Sequence, residues 1–350
     1  MTGTPTPTIA KAPPKSAPVG SLRVGLVLGG GGAMGAAYHA GALAALEHDL
    51  GWDPRSADII VGTSAGSLTG TLLRLGVAAQ DLAALTVGAK AMSVSSSLAT
   101  QLADRPQFPA FGLGHLLRLP RVPSPVLMAG LLRVGVRRRA SALASLMLLL
   151  PAGRAHLLPH LTFLDDHFND DWPVDPLLVC AVRANDCRRA VFDGTGRQGR
   201  LSLALAASCA VPGYFSPVAI DGAMYVDGGA ISATNADVLR RHDLDLAIVV
   251  SPMTGAARSW SVADAARRFC RRAVDHEVRM LKDAGIATVV IEPGRQVTDH
   301  MSMDFMSEAT STAIVQAAFF DTGRQISASE TLAALRSGRR VEPPMAGAGG

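Results

Sequence analysis

The chain has 350 residues, 48% of them hydrophobic, which is enough to bury a sizeable core in one large domain or two small ones. Its four cysteines show no paired C-x-x-C spacing, which argues against a zinc site and predicts reduced thiols in a cytoplasmic protein. The sequence contains no run of about 18 uncharged apolar residues, so we expect no membrane-spanning helix. We predict a single domain at 21–336, between disordered tails at 1–20 and 337–350.

The charge is unevenly distributed along the chain. The segment 105–164 contains no Asp or Glu and has eight arginines, namely Arg105, Arg118, Arg121, Arg133, Arg137, Arg138, Arg139 and Arg154. The segment is therefore +8, and since the whole chain is +4, the rest is −4 (4 minus 8). Apolar stretches at 126–132 and 140–150 flank the arginine triplet, which favours peripheral contact with an anionic membrane at its inner face. The alternative is a helical cap over a functional site with solvated arginines. We expect no nucleic-acid partner.

The first predicted strand, at 22–28, runs directly into the glycine-rich stretch Gly29–Gly35, and a helix is predicted at 36–50. Gly30, Gly32 and Gly35 match the G-x-G-x-x-G pattern of dinucleotide-binding proteins, but no acidic residue stands at the end of the second predicted strand to hold a ribose. A second interpretation is an oxyanion hole, because consecutive glycines allow backbone N–H groups to converge on one point. A plain tight turn is the third.

A short motif follows the second predicted strand, at 58–61. Gly62-Thr63-Ser64-Ala65-Gly66 lies between that strand and a helix predicted at 68–75. Strand, sharp turn and helix form the context of a nucleophile elbow, in which the serine Oγ stands clear of the backbone. An ordinary glycine-rich turn has the same pattern, so the motif alone leaves both interpretations open.

Strands and helices alternate along the rest of the chain. Further strands are predicted at 177–182, 189–193, 218–220, 223–226, 245–250 and 288–291. Helices are predicted at 201–209, 262–284 and 303–335, the last interrupted at Gly323. This alternation predicts an α/β fold with a mostly parallel sheet.

A serine hydroxyl needs a base that takes its proton. His242, His276 and His300 follow Ser64 in the chain, but their sequence contexts are typical of an exposed surface. Asp227 is the better candidate, since it ends a predicted strand and is followed by Gly228 and Gly229.

Three ordered blocks resemble the patatin-like phospholipases, here of the bacterial type. They are the glycine stretch at 29–35, the elbow motif at 62–66, and the stretch 207–217 (ASCAVPGYFSP) that leads to 225–229 (YVDGG) and Asn235. The resemblance spans roughly residues 22–300, with segment 105–164 as an insertion. It implies a three-layer α/β/α fold and a serine acyl hydrolase acting on phospholipid or other acyl-ester lipids, without metal or cofactor.

The same resemblance implies a Ser-Asp dyad without histidine. Ser64 would be the nucleophile, Asp227 the general base and Gly30, Gly31 and Gly32 the oxyanion donors, with support from Gly62, Gly66, Gly228 and Gly229. One departure is Met34, where the family often has Arg or Lys. The alternative function is a catalytically silent lipid-binding or scaffold protein that keeps the fold.

Overall fold

The computed structural model describes residues 22–103, 153–169, 171–195, 199–257, 261–301 and 306–336. Both predicted tails lie outside the described residues. So do residues 104–152, which include most of the basic segment 105–164. The strands are β1 (Val24–Leu28), β2 (Ile59–Thr63), β3 (Leu177–Arg183), β4 (Arg188–Phe192), β5 (Val218–Ile220), β6 (Ala223–Asp227), β7 (Leu246–Val250) and β8 (Ala287–Ile291).

The α-helices are α1 (Gly32–Leu50), α2 (Ala65–Arg74), α3 (Ala79–Thr86), α4 (Ser96–Ala103), α5 (Phe163–His167), α6 (Leu201–Ser208), α7 (Val262–Asp283), α8 (Arg295–Thr298), α9 (Ser311–Ala328) and α10 (Glu330–Arg336). Short 3₁₀ helices lie at Pro54–Ser56, Leu158–His160, Gly228–Ala230 and Ala236–Arg241.

The strands of the described part form one mixed sheet. Five strands are parallel, in the order β3-β2-β1-β7-β8, while β4, β5 and β6 pair in antiparallel fashion. The predicted mostly parallel sheet is therefore confirmed. In a parallel arrangement the carboxyl ends of β1 and β2 lie side by side, which brings the glycine stretch and the elbow motif to the same edge of the sheet.

The sheet is covered on both faces, as parallel strands with apolar side chains require. On one face, Leu26 and Leu28 of β1 join a core with α1, α2, α3, α6 and α9. On the other face, Val27 joins a smaller core with Leu239 of the Ala236–Arg241 turn and Leu281 of α7. The arrangement is the three-layer α/β/α fold that was predicted.

Two helices begin earlier than the sequence pattern predicts. α1 starts at Gly32 instead of residue 36, and α2 starts at Ala65 instead of residue 68. Their first turns contain mainly glycine, alanine and serine, so apolar periodicity marks only the later turns that pack on the sheet. Both helices therefore point their N-termini directly at the glycine stretch and the elbow.

The last predicted helix is different from the one observed. The chain forms turns at 306–310, and α9 passes through Gly323 without interruption before ending at Ala328. The prediction of a break at Gly323 is wrong because Val315, Ala318 and Ile326 of α9 are buried in the core on both sides of the glycine, and this packing outweighs the low helix propensity of one glycine. Among the described helices, none combines the length and apolarity needed to span a bilayer.

Candidate active site

Ser64 occupies the sharp turn between β2 and α2. Its backbone has φ 52° and ψ −124°, a sparsely populated conformation for a residue with a side chain. The flanking glycines are required by close packing, because a Cβ at Gly62 would lie 2.4 Å from Ser67 Cα and one at Gly66 would lie 1.9 Å from Leu28 O. The predicted elbow motif is thus a strained strand-to-helix turn.

Hydrogen bonds on both sides hold this turn. The Ser64 N–H donates to Ser208 Oγ at 2.9 Å, and the Ser208 hydroxyl donates to Cys180 O at 2.7 Å. The Ser64 carbonyl accepts from the Ser67 N–H at 2.8 Å and from Ser67 Oγ at 2.7 Å. The backbone of Ser64 is therefore fixed on both sides of the turn.

Asp227 reaches Ser64 through the pairing of β3. One edge of β3 is occupied by β4 from Val179 to Arg183, so β2 and β6 share the other edge. On that edge, Thr63 pairs with Cys180 and Asp227 pairs with Ala181. The carboxyl ends of β2 and β6 therefore meet head-on at consecutive positions of β3.

Close packing at the following glycines fixes this meeting point. A Cβ at Gly228 would lie 2.4 Å from Cys180 O and 3.1 Å from Thr63 Cγ2. The Gly229 N–H donates to Asp227 Oδ1 at 2.7 Å. The predicted support glycines thus bring the aspartate against the end of the strand that carries the serine.

The Asp227 carboxyl is buried, and its pKa is raised from 3.8 to about 6. Desolvation is the main cause, while the neighbouring Ser64 hydroxyl and the Gly229 N–H, which donates to Oδ1, lower the pKa in part. Oδ2 accepts no hydrogen bond of regular distance and angle from any described residue. Serine and aspartate are thus adjacent without being locked together, as is common in free enzymes.

The glycine stretch borders the same point. A Cβ at Gly30 would lie 3.4 Å from Ser64 Cβ. However, the Gly30 N–H donates to Ala233 O at 2.7 Å, so this N–H is already engaged. Gly31 and Gly32 follow at the N-terminus of α1, both with positive φ. Met34 is buried in the apolar core beneath α1.

A cavity of about 510 Å³ opens beside Ser64. Much of its lining is aliphatic and comes from α1–α4 and the stretch 157–164, including Leu68, Leu72, Leu82, Leu85, Leu102, Leu157, Leu161 and Leu164. Gly32, Ser64 and Cys209 line it as well. The volume and the lining suit an apolar ligand group.

The three histidines that the sequence offers as candidates are poorly placed to act as the base. His242, His276 and His300 are exposed, and none of them lines the cavity. His160 does line it but is exposed, whereas Asp227 is buried beside Ser64. No cluster of three His, Cys, Asp or Glu side chains suited to a metal ion occurs within the described ranges.

A buried network of hydrogen bonds contacts Thr63, the residue before Ser64. Asn235 Nδ2 donates to Thr63 Oγ1 at 3.0 Å and to Ser232 O at 2.7 Å. Glu277 of α7 accepts from Thr234 Oγ1 at 2.5 Å and from the Ala236 N–H at 2.9 Å. Sequence reasoning included Asn235 in a motif but missed Glu277 and the role of Ser208, which no local pattern reveals.

The model of the patatin-like phospholipase family matches residues 26–240, more than half of the chain. The chain belongs to this family. The match runs from Leu26 in β1 past β6 and includes Ser64 and Asp227, and membership indicates lipid acyl hydrolysis as the activity class. No curated protein sequence matches the chain.

Comparison with solved structures gives matches of low sequence identity. VipD from Legionella pneumophila is 15% identical, with a TM-score of 0.42, and the match covers 88% of this chain and 67% of VipD. ExoU, in its complex with SpcU from Pseudomonas aeruginosa, is 20% identical, with a TM-score of 0.34 and coverage of 88% and 52%. Human group IVD cytosolic phospholipase A2, in complex with methyl γ-linolenyl fluorophosphonate, is 13% identical, with a TM-score of 0.37 and coverage of 91% and 59%. This chain thus spans little more than half the length of ExoU and of the human phospholipase.

Proposed function

We propose that this patatin-like protein is a serine esterase that cleaves acyl esters of phospholipids or related lipids through a Ser64–Asp227 dyad. The observation that carries the proposal is the head-on meeting of β2 and β6 on one edge of β3. It brings a serine on a strained turn against a buried carboxyl with an unpartnered oxygen, beside an apolar cavity.

The first half of the reaction forms an acyl-enzyme. Asp227 takes the proton of the Ser64 hydroxyl as Oγ attacks the ester carbonyl carbon. The carbonyl oxygen becomes an oxyanion, which the N–H groups of Gly31 and Gly32 and the N-terminal end of α1 stabilise. The intermediate collapses, the bond to the alcohol breaks, and the leaving alcohol takes the proton from Asp227.

The second half releases the fatty acid. A water molecule gives a proton to Asp227 and attacks the acyl carbon, and Ser64 Oγ leaves with that proton. The acyl chain occupies the leucine-lined cavity throughout. Asp227 suits both steps because burial raises its pKa to about 6, near the operating pH that general-base catalysis favours.

Gly30 has a smaller part in this proposal than the sequence predicts. Its N–H is engaged by Ala233 O, so Gly30 shapes the loop while Gly31 and Gly32 donate. The described end of the basic segment contributes Leu157 and Leu161 to the cavity wall. We therefore also propose that segment 105–164 brings the cavity to an anionic membrane surface.

Fluorophosphonate labelling of the purified protein tests the dyad. We expect the wild type to label, Ser64→Ala not to label, and Asp227→Asn to label at least about 10²-fold more slowly, the lower end of what a general base contributes. His242→Ala, at an exposed histidine outside the cavity lining, is the control and should label normally. A folded wild type that does not label, with or without anionic vesicles, would support the silent lipid-binding alternative.

Vesicle sedimentation tests the membrane contact. Binding to anionic vesicles should weaken as salt rises, because screening shortens the range of electrostatic attraction. Deletion of residues 105–152 should remove most of the binding. Salt-independent binding would contradict the role of the arginines.

A further inference from the structure

The last residue of α6 is a buried serine whose hydroxyl lies between the nucleophile and the sheet. We infer that Ser208 is a positioning residue, which holds the backbone of Ser64 in the reactive conformation without touching the substrate. The inference rests on the proposed function, in which Ser64 is the nucleophile.

The two hydrogen bonds of Ser208 Oγ fix the direction of its hydroxyl proton. A hydroxyl has a single proton, and the Cys180 carbonyl can only accept, so the Ser208 proton is directed at Cys180 O at 2.7 Å. A lone pair then accepts the Ser64 N–H at 2.9 Å. Ser208 is fully buried, so water does not compete for either bond.

The N–H of Ser64 depends on Ser208 Oγ as its hydrogen-bond acceptor. With φ 52° the residue follows β2 but leaves its hydrogen-bonding ladder, and Ser208 Oγ is the acceptor that the described residues offer to this N–H. An unpaired buried N–H is unfavourable, so the bond stabilises the strained turn. It also directs the Ser64 N–H away from the oxyanion, which leaves that task to the glycine stretch.

The segment 208–210 contacts both members of the dyad. Ser208 Oγ accepts the Ser64 N–H, and Ala210 O accepts the Asp227 N–H at 3.0 Å. The intervening Cys209 lines the cavity. Ser208 therefore sets the distance between the nucleophile and the base through one short piece of chain.

The same helix offers a matched control. Ser202 of α6 is also buried, and its Oγ donates to Asp165 Oδ2 at 2.6 Å. Its bonds tie α6 to α5 and do not reach Ser64. Replacing either serine by alanine removes one buried, hydrogen-bonded hydroxyl from α6, so Ser202→Ala shows the effect of such a loss without a contact to Ser64.

The experiment compares Ser208→Ala, Ser208→Cys and Ser202→Ala with the wild type, by fluorophosphonate labelling rate and by steady-state kinetics on a short-chain ester. We expect Ser208→Ala to label about 10- to 100-fold more slowly, as a small misplacement of a reacting group does. kcat should fall by a similar factor, with KM within about twofold. Ser208→Cys, whose thiol accepts hydrogen bonds weakly, should lie between alanine and wild type.

Ser202→Ala should label within about twofold of the wild type. Normal labelling of folded Ser208→Ala, or an equal loss in Ser202→Ala, would overturn the inference. If Ser208→Ala does not fold, wild-type labelling by folded Ser208→Cys overturns it in the same way. A wild type that does not label at all contradicts the proposed function instead, so the two failures are distinguishable.

Discussion

Replacing Asp227 by asparagine should impair catalysis and, at neutral pH, remove a stability cost that the native carboxylate imposes. The pKa of Asp227 is raised from 3.8 to about 6 by burial. Ionisation is therefore easier in the unfolded chain than in the folded protein. Because a shift of about two pKa units corresponds to roughly 3 kcal/mol, the ionised carboxylate lowers the free energy of unfolding by about that amount above pH 7.

The pH dependence follows from the sign of this shift. A carboxyl group whose pKa is raised in the folded protein destabilises the fold most above its folded pKa. This loss of stability vanishes below the unfolded pKa of 3.8. The cost falls to about half at pH 5. The unfolding free energy of Asp227→Asn minus that of the wild type should thus increase by about 1.5 kcal/mol from pH 5 to pH 8.

The new amide adds a constant term to this difference. The asparagine side chain differs from the carboxyl in its hydrogen bonding at this buried position, and this contribution is the same at every pH. The change with pH is therefore more informative than the absolute value. Asp165→Asn is a matched control, because that buried carboxyl accepts two hydrogen bonds from Ser202 and its replacement should only destabilise.

Urea unfolding at several pH values measures this difference, and the pH profile of activity measures the same carboxyl independently. Hydrolysis should decrease as pH falls through about 6, because only the ionised carboxylate accepts the serine proton. A stability difference that does not change between pH 5 and pH 8 would refute the argument that Asp227 is ionised with a raised pKa.

Two further predictions concern packing around the site. Gly66→Ala should lower the free energy of unfolding by at least about 2 kcal/mol and abolish labelling, because its Cβ would lie 1.9 Å from Leu28 O. In a thermal unfolding assay of both variants, Gly70→Ala should cost less stability, because its Cβ would meet mainly movable side chains. Retained stability in Gly66→Ala would contradict the packing at the elbow. Leu72→Trp should shift the preference between long and short acyl esters towards short ones by at least about tenfold in kcat/KM, because it fills part of the cavity. Leu75→Trp, outside the cavity lining, should leave the preference unchanged. An unchanged preference in Leu72→Trp would contradict the proposal that the acyl chain occupies this cavity.

The strands and the elbow could be predicted because their signals are local. Buried strands such as β1 and β7 are short apolar runs, and the elbow is one strand, one turn and one helix in direct succession. Asp227 is a candidate for a similar reason, since a short predicted strand ends there and glycines follow. Each of these features depends on residues close together in the chain.

The hydrogen bonds that complete the site could not be predicted in this way. The Gly30 N–H finds Ala233 O and the Ser64 N–H finds Ser208 Oγ, both far away in sequence. Such pairs are decided by how the layers pack, which no spacing encodes. Gly323 shows the same limit, since the helix continues through it because of how α9 packs in the core and not because of its own helix propensity.

The shared edge of β3 has a consequence for the folding of the protein. Serine and aspartate become neighbours only after β2 and β6, from distant parts of the chain, have both paired with this central strand. Such non-local pairing carries a large loop-closure cost, and contacts of this kind form slowly. Partly folded chains with one pairing missing therefore lack the proposed dyad. Under the proposed mechanism, a newly made chain would not attack surrounding lipids until its sheet is complete.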